Sequence, residues 1–296
     1  MSTTVIILRF EAAWSATDRR LAGLGRILVP LDGSALARAA LIPAEELARR
    51  TGARLELLST KVAEGPPRPS SFLDDIAEEI SDGGAGVELR TSTRLEGDPV
   101  RAIEAAVEEG GAPVLIVMSS HGRGRFRRAA LGSTAELVVA SAAAPVLVVG
   151  PSWQPDAFQP GGPVVLAHDG DHEPDLDVVA RLAQTASGQI TVLQVFPSPS
   201  PSLARHHSGS VVSEAAADCA SRLRAMGFEV TTEAERAAQT HKVIVDVAGD
   251  LGASYVVITS RSRTGVRRAV LGSVATSVVR SSPIPVLVNR STKEGS

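Results

Sequence analysis

Short runs of aliphatic residues alternate with amphipathic stretches along most of the chain. Continuous runs of this kind are typical of strands that are buried on both faces of a sheet. The runs are "RILVPL", "RLELLS", "GVELRTSTRL", "PVLIVMS" and "PVLVVG" in the first half, and "PVVLAH", "QITVLQVF", "FEVTTEAER", "SYVVITS" and "IPVLVN" in the second. Because helical stretches separate the strands, the pattern predicts an α/β fold with parallel, doubly wound sheets and right-handed crossovers.

The amphipathic stretches carry a helical period. Phe72, Ile76 and Ile80 recur every fourth residue, as the buried side of a helix requires. Asp98 precedes a proline and predicts the N-cap of another helix. The single cysteine, Cys219, falls at an apolar position of a predicted helix and is expected to be a core thiol.

The two halves repeat one another. "RRAALGSTAELVVASAAAPVLVV" aligns with "RRAVLGSVATSVVRSSPIPVLVN", and "RILVPLDGS" aligns with "PVVLAHDGD". A stretch rich in proline and glycine separates the two copies. The sequence therefore predicts an N-terminal extension over residues 1–24, a first domain over 25–150, a linker over 151–161 and a second domain over 162–292. We call the two copies repeat one and repeat two.

Composition narrows the classes of function. Thirty basic and 33 acidic side chains give a formal net charge of −3, so the overall balance favours neither nucleic acid nor an anionic membrane as a partner. Aromatic residues make up only 3% of the chain, which is few for a surface that stacks nucleic acid bases. The apolar runs are too short to span a bilayer, and the N-terminus fits a secretion signal poorly. We expect a cytoplasmic location, no membrane contact and no nucleic acid partner.

Two connections of repeat one leave the carboxyl ends of predicted strands and carry candidate ligands. In an open parallel sheet, ligands bind where such connections diverge. One connection is "VPLDGS", in which Asp32 is placed to accept hydrogen bonds from ribose hydroxyls or to help hold a cation. The other is "MSSHGRGRFRRAALGST", in which Gly122 can bring backbone amides against an oxyanion. Its Gly132-Ser133-Thr134 opens a helix, whose free amides and dipole favour phosphate.

These residues resemble the ATP-binding universal stress proteins. Members of that family carry a glycine, two residues, a second glycine, nine residues, and then Gly-Ser or Gly-Thr. Repeat one has Gly122 and Gly132-Ser133 at this spacing, with Ser119 in place of the first glycine. The resemblance runs from Arg26 to Asn289 and implies two tandem, Rossmann-like, doubly wound domains, each with a five-stranded parallel sheet core.

The resemblance also implies the residues that bind the nucleotide. Adenine would lie near the backbone of Pro30, Leu31 and Thr60, and ribose near Asp32, Met118 and Ser119. The phosphates would lie against Gly122, Arg123, Gly132, Ser133 and Thr134. The implied cofactor is ATP, with or without Mg²⁺, and no catalytic or metal-binding residue is assigned.

Repeat two departs from the same pattern. Ser262 and Thr259 stand at the two early glycine positions, and a β-branched residue at a site of positive φ would be strained. The turn after its first strand, "HDGDHEPDLD", carries several carboxylates, which would repel a polyphosphate. We expect the site of repeat two to be degenerate and empty.

Several features also have simpler interpretations. The four arginines at 123, 125, 127 and 128 are expected to contact phosphate in part and otherwise to be solvated, and His121 to position rather than catalyse. Ser133 could be only a helix cap and Asp32 only a turn residue. His168, Asp169, Asp171 and His172 have the chemistry of metal ligands, but so short a loop rarely directs all four inward.

The leading hypothesis is a stress-response regulator that binds ATP in repeat one and hydrolyses it slowly or not at all. The alternative is a structural or interaction module whose two sites are both empty. An enzyme of the related adenine-nucleotide α-hydrolases is disfavoured, because their "SGGxDS" loop is absent. The resemblance further implies an intramolecular pseudo-dimer in which "APVLVVG" pairs with "IPVLVN", and it leaves room for a homodimer of whole chains.

Overall fold

The computed structural model describes residues 24–60, 72–82, 88–94, 98–109, 113–120, 131–198, 211–260 and 271–290. The N-terminal extension predicted over residues 1–24 lies almost wholly outside these ranges. Contacts divide the chain into two compact units, with a boundary between Leu147 and Val148. No helix within the described ranges is long and apolar enough to cross a membrane.

Repeat one alternates strands and helices as predicted. Its elements are β1 (Arg26–Pro30), α1 (Ala35–Arg38), α2 (Leu41–Thr51), β2 (Arg54–Thr60), α3 (Phe72–Asp82), β3 (Leu89–Arg94), α4 (Pro99–Glu109), β4 (Val114–Ser119), α5 (Ser133–Ser141) and β5 (Val146–Val149). The strand order is β3-β2-β1-β4-β5. Strand β1 pairs in parallel with both β2 and β4, so the sheet is wound outward from β1 in two directions.

Repeat two has the same plan. Its elements are β6 (Val164–His168), α6 (Leu176–Gln184), β7 (Gln189–Pro197), α7 (Glu214–Ala225), β8 (Glu229–Ala237), α8 (Thr240–Asp250), β9 (Tyr255–Ser260), α9 (Ser273–Ser281) and β10 (Val286–Arg290). Its strand order is β8-β7-β6-β9-β10, in which each strand takes the place of its counterpart in repeat one. The predicted fold class, two tandem doubly wound α/β domains with five strands each, is confirmed.

The helical periods read from the sequence correspond to buried faces. Ile76 and Ile80 are buried on α3, and Cys219 is buried on α7. Burial raises the pKa of the Cys219 thiol to about 11, which keeps it protonated at neutral pH and agrees with a core role. Asp98 caps α4, since its side chain accepts a hydrogen bond from the Val100 amide at 2.9 Å.

The predicted linker is ordered against repeat two. Trp153 and Phe158 pack in series on Tyr255, with ring centroids 5.7 and 5.6 Å apart. The glycines at its two ends lie close to the backbone of the second unit. A Cβ on Gly150 would overlap the Val279 carbonyl oxygen, and one on Gly162 would overlap that of Gly252. Glycine is therefore required at both ends because of close approach, since neither has a positive φ.

The sheets of the two repeats bury different polar side chains near the amino ends of their strands. In repeat one, Arg26 donates to Glu56 at 2.7 Å and to the carbonyls of Ala106 and Val107 at 3.1 Å each. Arg90, the β3 partner of Glu56, lies 3.2 Å from the same carboxylate.

Repeat two has no charge at the corresponding positions. Thr191 and Thr231 are register partners there, and their hydroxyls are hydrogen-bonded to each other at 3.0 Å. A charged network in one sheet is thus replaced by a neutral pair in the other.

Candidate functional site

The turn after β1 is held by local hydrogen bonds. Pro30 ends the strand, and the Leu31 amide continues its pairing by donating to the Leu58 carbonyl at 2.7 Å. The Asp32 carboxylate accepts from the Ser34 amide at 2.9 Å, and Gly33 takes a φ of 79°. Asp32 is therefore a turn residue, and this role leaves its carboxylate at the carboxyl edge of the sheet.

A short helix follows this turn. Ser34 is the N-cap of α1, and its hydroxyl accepts from the Ala37 amide at 3.1 Å. A capped helix start directly after the turn fixes the path of the backbone away from β1. Leu31 and Asp32, which the resemblance implies to face adenine and ribose, thus lie in a turn that local hydrogen bonds hold.

The second connection, between β4 and α5, ends beside the strand from which it starts. Strand β4 ends with buried Met118 and half-buried Ser119. The Gly132 amide then donates to the Ser120 carbonyl at 2.6 Å, which closes the base of the loop. Gly132 has an extended backbone, with φ −69° and ψ 157°, and is the N-cap of α5.

The start of α5 leaves backbone donors at the sheet edge. Gly132 has no side chain that could cap the helix, and α5 begins at Ser133, so the interpretation of Ser133 as the cap is wrong. The Gly132 amide itself is engaged with Ser120. The first-turn amides of Ser133 and Thr134 are therefore the donors that the fold offers to an anion.

The fold brings most of the predicted residues to one edge. Strands β1 and β4 are neighbours, so Pro30 and Ser119 end on the same side of the sheet, and Thr60 ends β2 next to β1. The other predicted phosphate contacts, Gly122 and Arg123, lie outside the described residues, as do His121 and the arginine cluster.

The corresponding turn of repeat two is built differently. Asp169 accepts hydrogen bonds from the amides of Asp171 at 3.0 Å and His172 at 2.9 Å, and its second oxygen lies 2.8 Å from the His172 ring. Burial alone would raise the pKa of Asp169, but these hydrogen bonds hold it below its usual value. The counterpart of Asp32 is thus committed to its own loop.

A row of polar side chains crosses the carboxyl edge of repeat two, and the sequence reasoning missed it. His168 and Gln194 are register partners on β6 and β7, and Thr259 and Asn289 are partners on β9 and β10. His168, Gln194 and Asn289 are each at most 3% exposed. The signal was present in the sequence, because each of these aliphatic runs ends in a polar residue: "LAH", "VLQ", "VIT" and "VLVN".

Three members of the row have defined partners. His168 Nδ1 accepts from the Gly170 amide at 2.9 Å, and Gln194 Oε1 accepts from the Ser213 amide at 2.6 Å. The Asn289 amide donates to the Asp175 carbonyl at 2.9 Å, at the N-cap of α6. Hydrogen bonds from this row therefore connect the edge of the sheet to the β6–α6 turn and to the starts of α6 and α7.

Thr259 requires a correction to the strain argument. It lies within β9, and no described non-glycine residue has a positive φ, so its β-branched side chain is not strained there. Its hydroxyl is buried without a hydrogen-bond partner. The cost at this position is an unsatisfied polar atom rather than backbone strain.

The histidines and carboxylates of the same turn do not converge on a metal. Within the described parts of the chain, no group of three His, Cys, Asp or Glu side chains is arranged to hold an ion. His168 uses Nδ1 to accept a backbone hydrogen bond, and burial lowers its pKa. The imidazole is therefore held in its neutral form as a structural acceptor.

Comparison with known proteins identifies the family. The family model described as "Universal stress protein family" matches residues 23–150 and 162–290, which together make up most of the chain. The chain therefore belongs to the universal stress protein family, and it is a tandem member with two copies of the domain. A search of curated proteins found no match.

Solved structures agree on the fold. A functionally unknown protein from Pseudomonas aeruginosa PAO1 is 20% identical, with a TM-score of 0.63 over 92% of this chain and 94% of that one. A putative universal stress protein from Pseudomonas aeruginosa UCBPP-PA14 is 22% identical, with a TM-score of 0.63 over 92% and 95%. A universal stress protein from Archaeoglobus fulgidus is 22% identical, with a TM-score of 0.60 over 90% and 98%. At these identities the likeness concerns the tandem fold alone.

Proposed function

We propose that repeat one binds ATP and that the bound nucleotide regulates contacts of this protein with a partner or a second chain during the stress response. One observation carries the proposal: neighbouring strands β1 and β4 send out diverging connections from the same edge of the sheet. One connection presents the Asp32 carboxylate and the other the uncapped start of α5. This pairs an acceptor for ribose hydroxyls with backbone donors for phosphate, as a nucleotide requires.

The proposal assigns roles by position. The backbone at Pro30, Leu31 and Thr60 would face adenine, and Asp32 with Met118 and Ser119 would face ribose. Amides at Ser133 and Thr134, which follow Gly132, would bind phosphate together with Gly122 and Arg123. The residues assigned to the site include one carboxylate, that of Asp32. Mg²⁺ would therefore be held mainly by the phosphates.

Nucleotide binding can act as a signal without rapid hydrolysis. A ligand that contacts both the β1 turn and the start of α5 links two segments that are far apart in the chain. Its binding energy would favour the arrangement in which both segments are in place, and so would change the surface that they form. We therefore propose regulation through occupancy, with slow or no hydrolysis.

The test is a titration of the full chain with ATP, followed by native mass spectrometry of the protein as purified. We expect one ATP per chain. Two equivalent sites would contradict an empty repeat two. No binding at millimolar ATP would favour the alternative, an interaction module in which both sites are empty.

The pairing of "APVLVVG" with "IPVLVN" stays a prediction from the sequence. If the first strand needs such a partner, residues 1–155 expressed alone should form a homodimer through it. Sedimentation at micromolar concentration measures this directly, and a stable monomer would contradict the pairing.

A further inference from the structure

We infer that Gln194 and His168 close the site of repeat two, so that these two side chains, rather than the lost glycines, prevent an adenine nucleotide from binding there. The inference rests on the proposed function, because it takes the nucleotide position of repeat one as its reference.

The side chain of Gln194 bridges two segments at the carboxyl edge of repeat two. Its Oε1 accepts from the Ser213 amide at the start of α7, at 2.6 Å. Its Nε2 lies against Gly170 so closely that a Cβ on this glycine would overlap it. Gly170 itself has a φ of 92°, so the turn allows the approach only because it is glycine. A polar side chain thus spans the gap between β7, the β6 turn and α7.

The register shows what repeat one has at the same place. Pro30 pairs with Leu58 and Ala167 pairs with Leu193, so the next pair is Leu31 with Ser59 in one repeat and His168 with Gln194 in the other. Ser59 is also buried, but its side chain ends one bond beyond Cβ and is too short to form the same bridge. The exchange of serine for glutamine therefore adds the bridging atoms.

His168 is hydrogen-bonded to the same turn. Its Nδ1 accepts from the Gly170 amide at 2.9 Å, an interaction that Leu31 cannot make in repeat one. By the assignment in repeat one, adenine would lie on the backbone at Ala167, His168 and Val195. Gln194 is the register partner of His168 and precedes Val195, and its side chain reaches Gly170 and Ser213 at the edge on which the nucleotide would lie.

Among the described residues, the start of the helix that would bind phosphate does not distinguish repeat two from repeat one. The N-cap of α9 is Gly272, with φ −61° and ψ 155°, nearly the same backbone as Gly132 in repeat one. Both helix starts lack a capping side chain. Apart from Thr259, which stands where repeat one has Ser119, the described differences that bear on a nucleotide therefore lie at the edge formed by β6 and β7.

The experiment exchanges these residues between the repeats in the full chain. The double variant His168→Leu/Gln194→Ser gives repeat two the residues of repeat one, and Ser59→Gln makes the reciprocal change. ATP stoichiometry is measured by titration and native mass spectrometry at up to millimolar ATP. We expect the double variant to bind one ATP more than the parent, and Ser59→Gln to weaken the parent site at least tenfold.

Hydrogen exchange at Ser213 verifies that the bridge has been removed. In the double variant its amide loses its acceptor and should exchange at least tenfold faster, whereas in Ser59→Gln it should be unchanged. Ser59→Ala controls for loss of the native serine and should bind ATP as the parent does. If Ser59→Gln fails to fold, the double variant decides the question by itself.

The outcomes separate the two proposals. The ATP count of the parent tests the proposed function, and the difference between the double variant and the parent tests the inference. A faster Ser213 amide with no additional ATP would overturn the inference, whatever the parent binds. An additional ATP over a parent that binds none would support the inference and overturn the proposed function for repeat one.

Discussion

The two repeats share one end of the site and differ at the other. Helices α5 and α9 both begin after an extended glycine N-cap, with φ of −69° and −61° and ψ of 157° and 155°. At the turn after the first strand, repeat one has Leu31 and an Asp32 that accepts from the Ser34 amide, whereas repeat two has His168 and an Asp169 that accepts from two loop amides and lies beside the His172 ring. Repeat two can thus keep the backbone of the proposed phosphate site while its side chains differ at the turn after the first strand.

The sheets differ in the same way nearer their amino ends. Repeat one buries an arginine and glutamate network around Arg26, and repeat two has a threonine pair in its place. Burying an ion pair requires desolvation of two charges, and removing one partner leaves the other charge buried and unpaired. A neutral hydrogen-bonded pair has a smaller penalty in both cases. The repeats therefore have equal topology but should respond unequally to substitution.

The largest expected effect is at Arg26. Arg26→Ala should lower the free energy of opening of repeat one by about 3–5 kcal/mol, because Glu56 then remains buried with only Arg90 as its partner. Thr191→Val breaks the threonine pair of repeat two, at the position that corresponds to Glu56, and should cost about 1 kcal/mol. Native-state hydrogen exchange on β1 and β6 measures each repeat separately. Equal losses in the two repeats would contradict the contrast.

The next effect is on nucleotide affinity. Gly122→Val should weaken ATP binding at least 100-fold, or about 2.7 kcal/mol, because it removes backbone access to the phosphates. Ser262→Val at the matching position of repeat two should change neither affinity nor stoichiometry. Isothermal titration measures both, and an affinity of Gly122→Val within a few-fold of the parent would show that the phosphates lie elsewhere.

A smaller effect is expected at the end of β10. Asn289→Val introduces the residue that repeat one has at this place, Val149, and removes the donor to the Asp175 carbonyl. The start of α6 should become less stable by about 1 kcal/mol. Hydrogen exchange of the first α6 amides reports this change, and Val149→Ala at the end of β5 is the control that should leave α6 unaffected. Unchanged exchange in α6 would mean that the Asn289 tie contributes nothing.

The smallest effect depends on pH. Burial lowers the pKa of His168 from 6.5, while Asp169 and Asp171 raise it and His172 lowers it further. The unfolded chain therefore takes up a proton before the folded chain does, and repeat two should lose stability as the pH falls below about 6.5. His168→Leu should reduce this slope. The pH dependence that remains would include a contribution from His241. Burial lowers the pKa of His241 too, and the charges of Arg280 and Lys242 lower it further.

Urea unfolding between pH 5 and 8, followed by Trp153 fluorescence in a Trp14→Phe background, measures the slope for repeat two. An identical slope in His168→Leu and its parent would show that the His168 hydrogen bond to Gly170 does not resist protonation.

Much of this molecule could be predicted from local pattern. Aliphatic runs and helical periods located the strands and helices, and Asp98 before a proline marked the start of α4. The repeat then implied that both halves have one topology. These features depend on neighbours in the chain, so a single sequence is enough to read them.

Local pattern failed where contacts are distant in sequence. Thr259 was expected to be strained and is instead an extended strand residue, because its register beside Asn289 sets its backbone. Ser133 was considered as a cap, but the helix begins at it. Local pattern does not distinguish Gln194, since its partners at Gly170 and Ser213 lie about twenty residues away on either side.

The sequence by itself determined the alternation of strands and helices and the duplication, and it predicted the edge of the sheet at which we propose that a ligand binds. Tertiary structure decided which polar groups are satisfied: the linker aromatics rest on Tyr255, Arg26 reaches Glu56, and Gln194 crosses to Ser213. The physical reason is that secondary structure follows from the period of neighbouring side chains, whereas a buried hydrogen bond requires two groups that only the folded chain brings together.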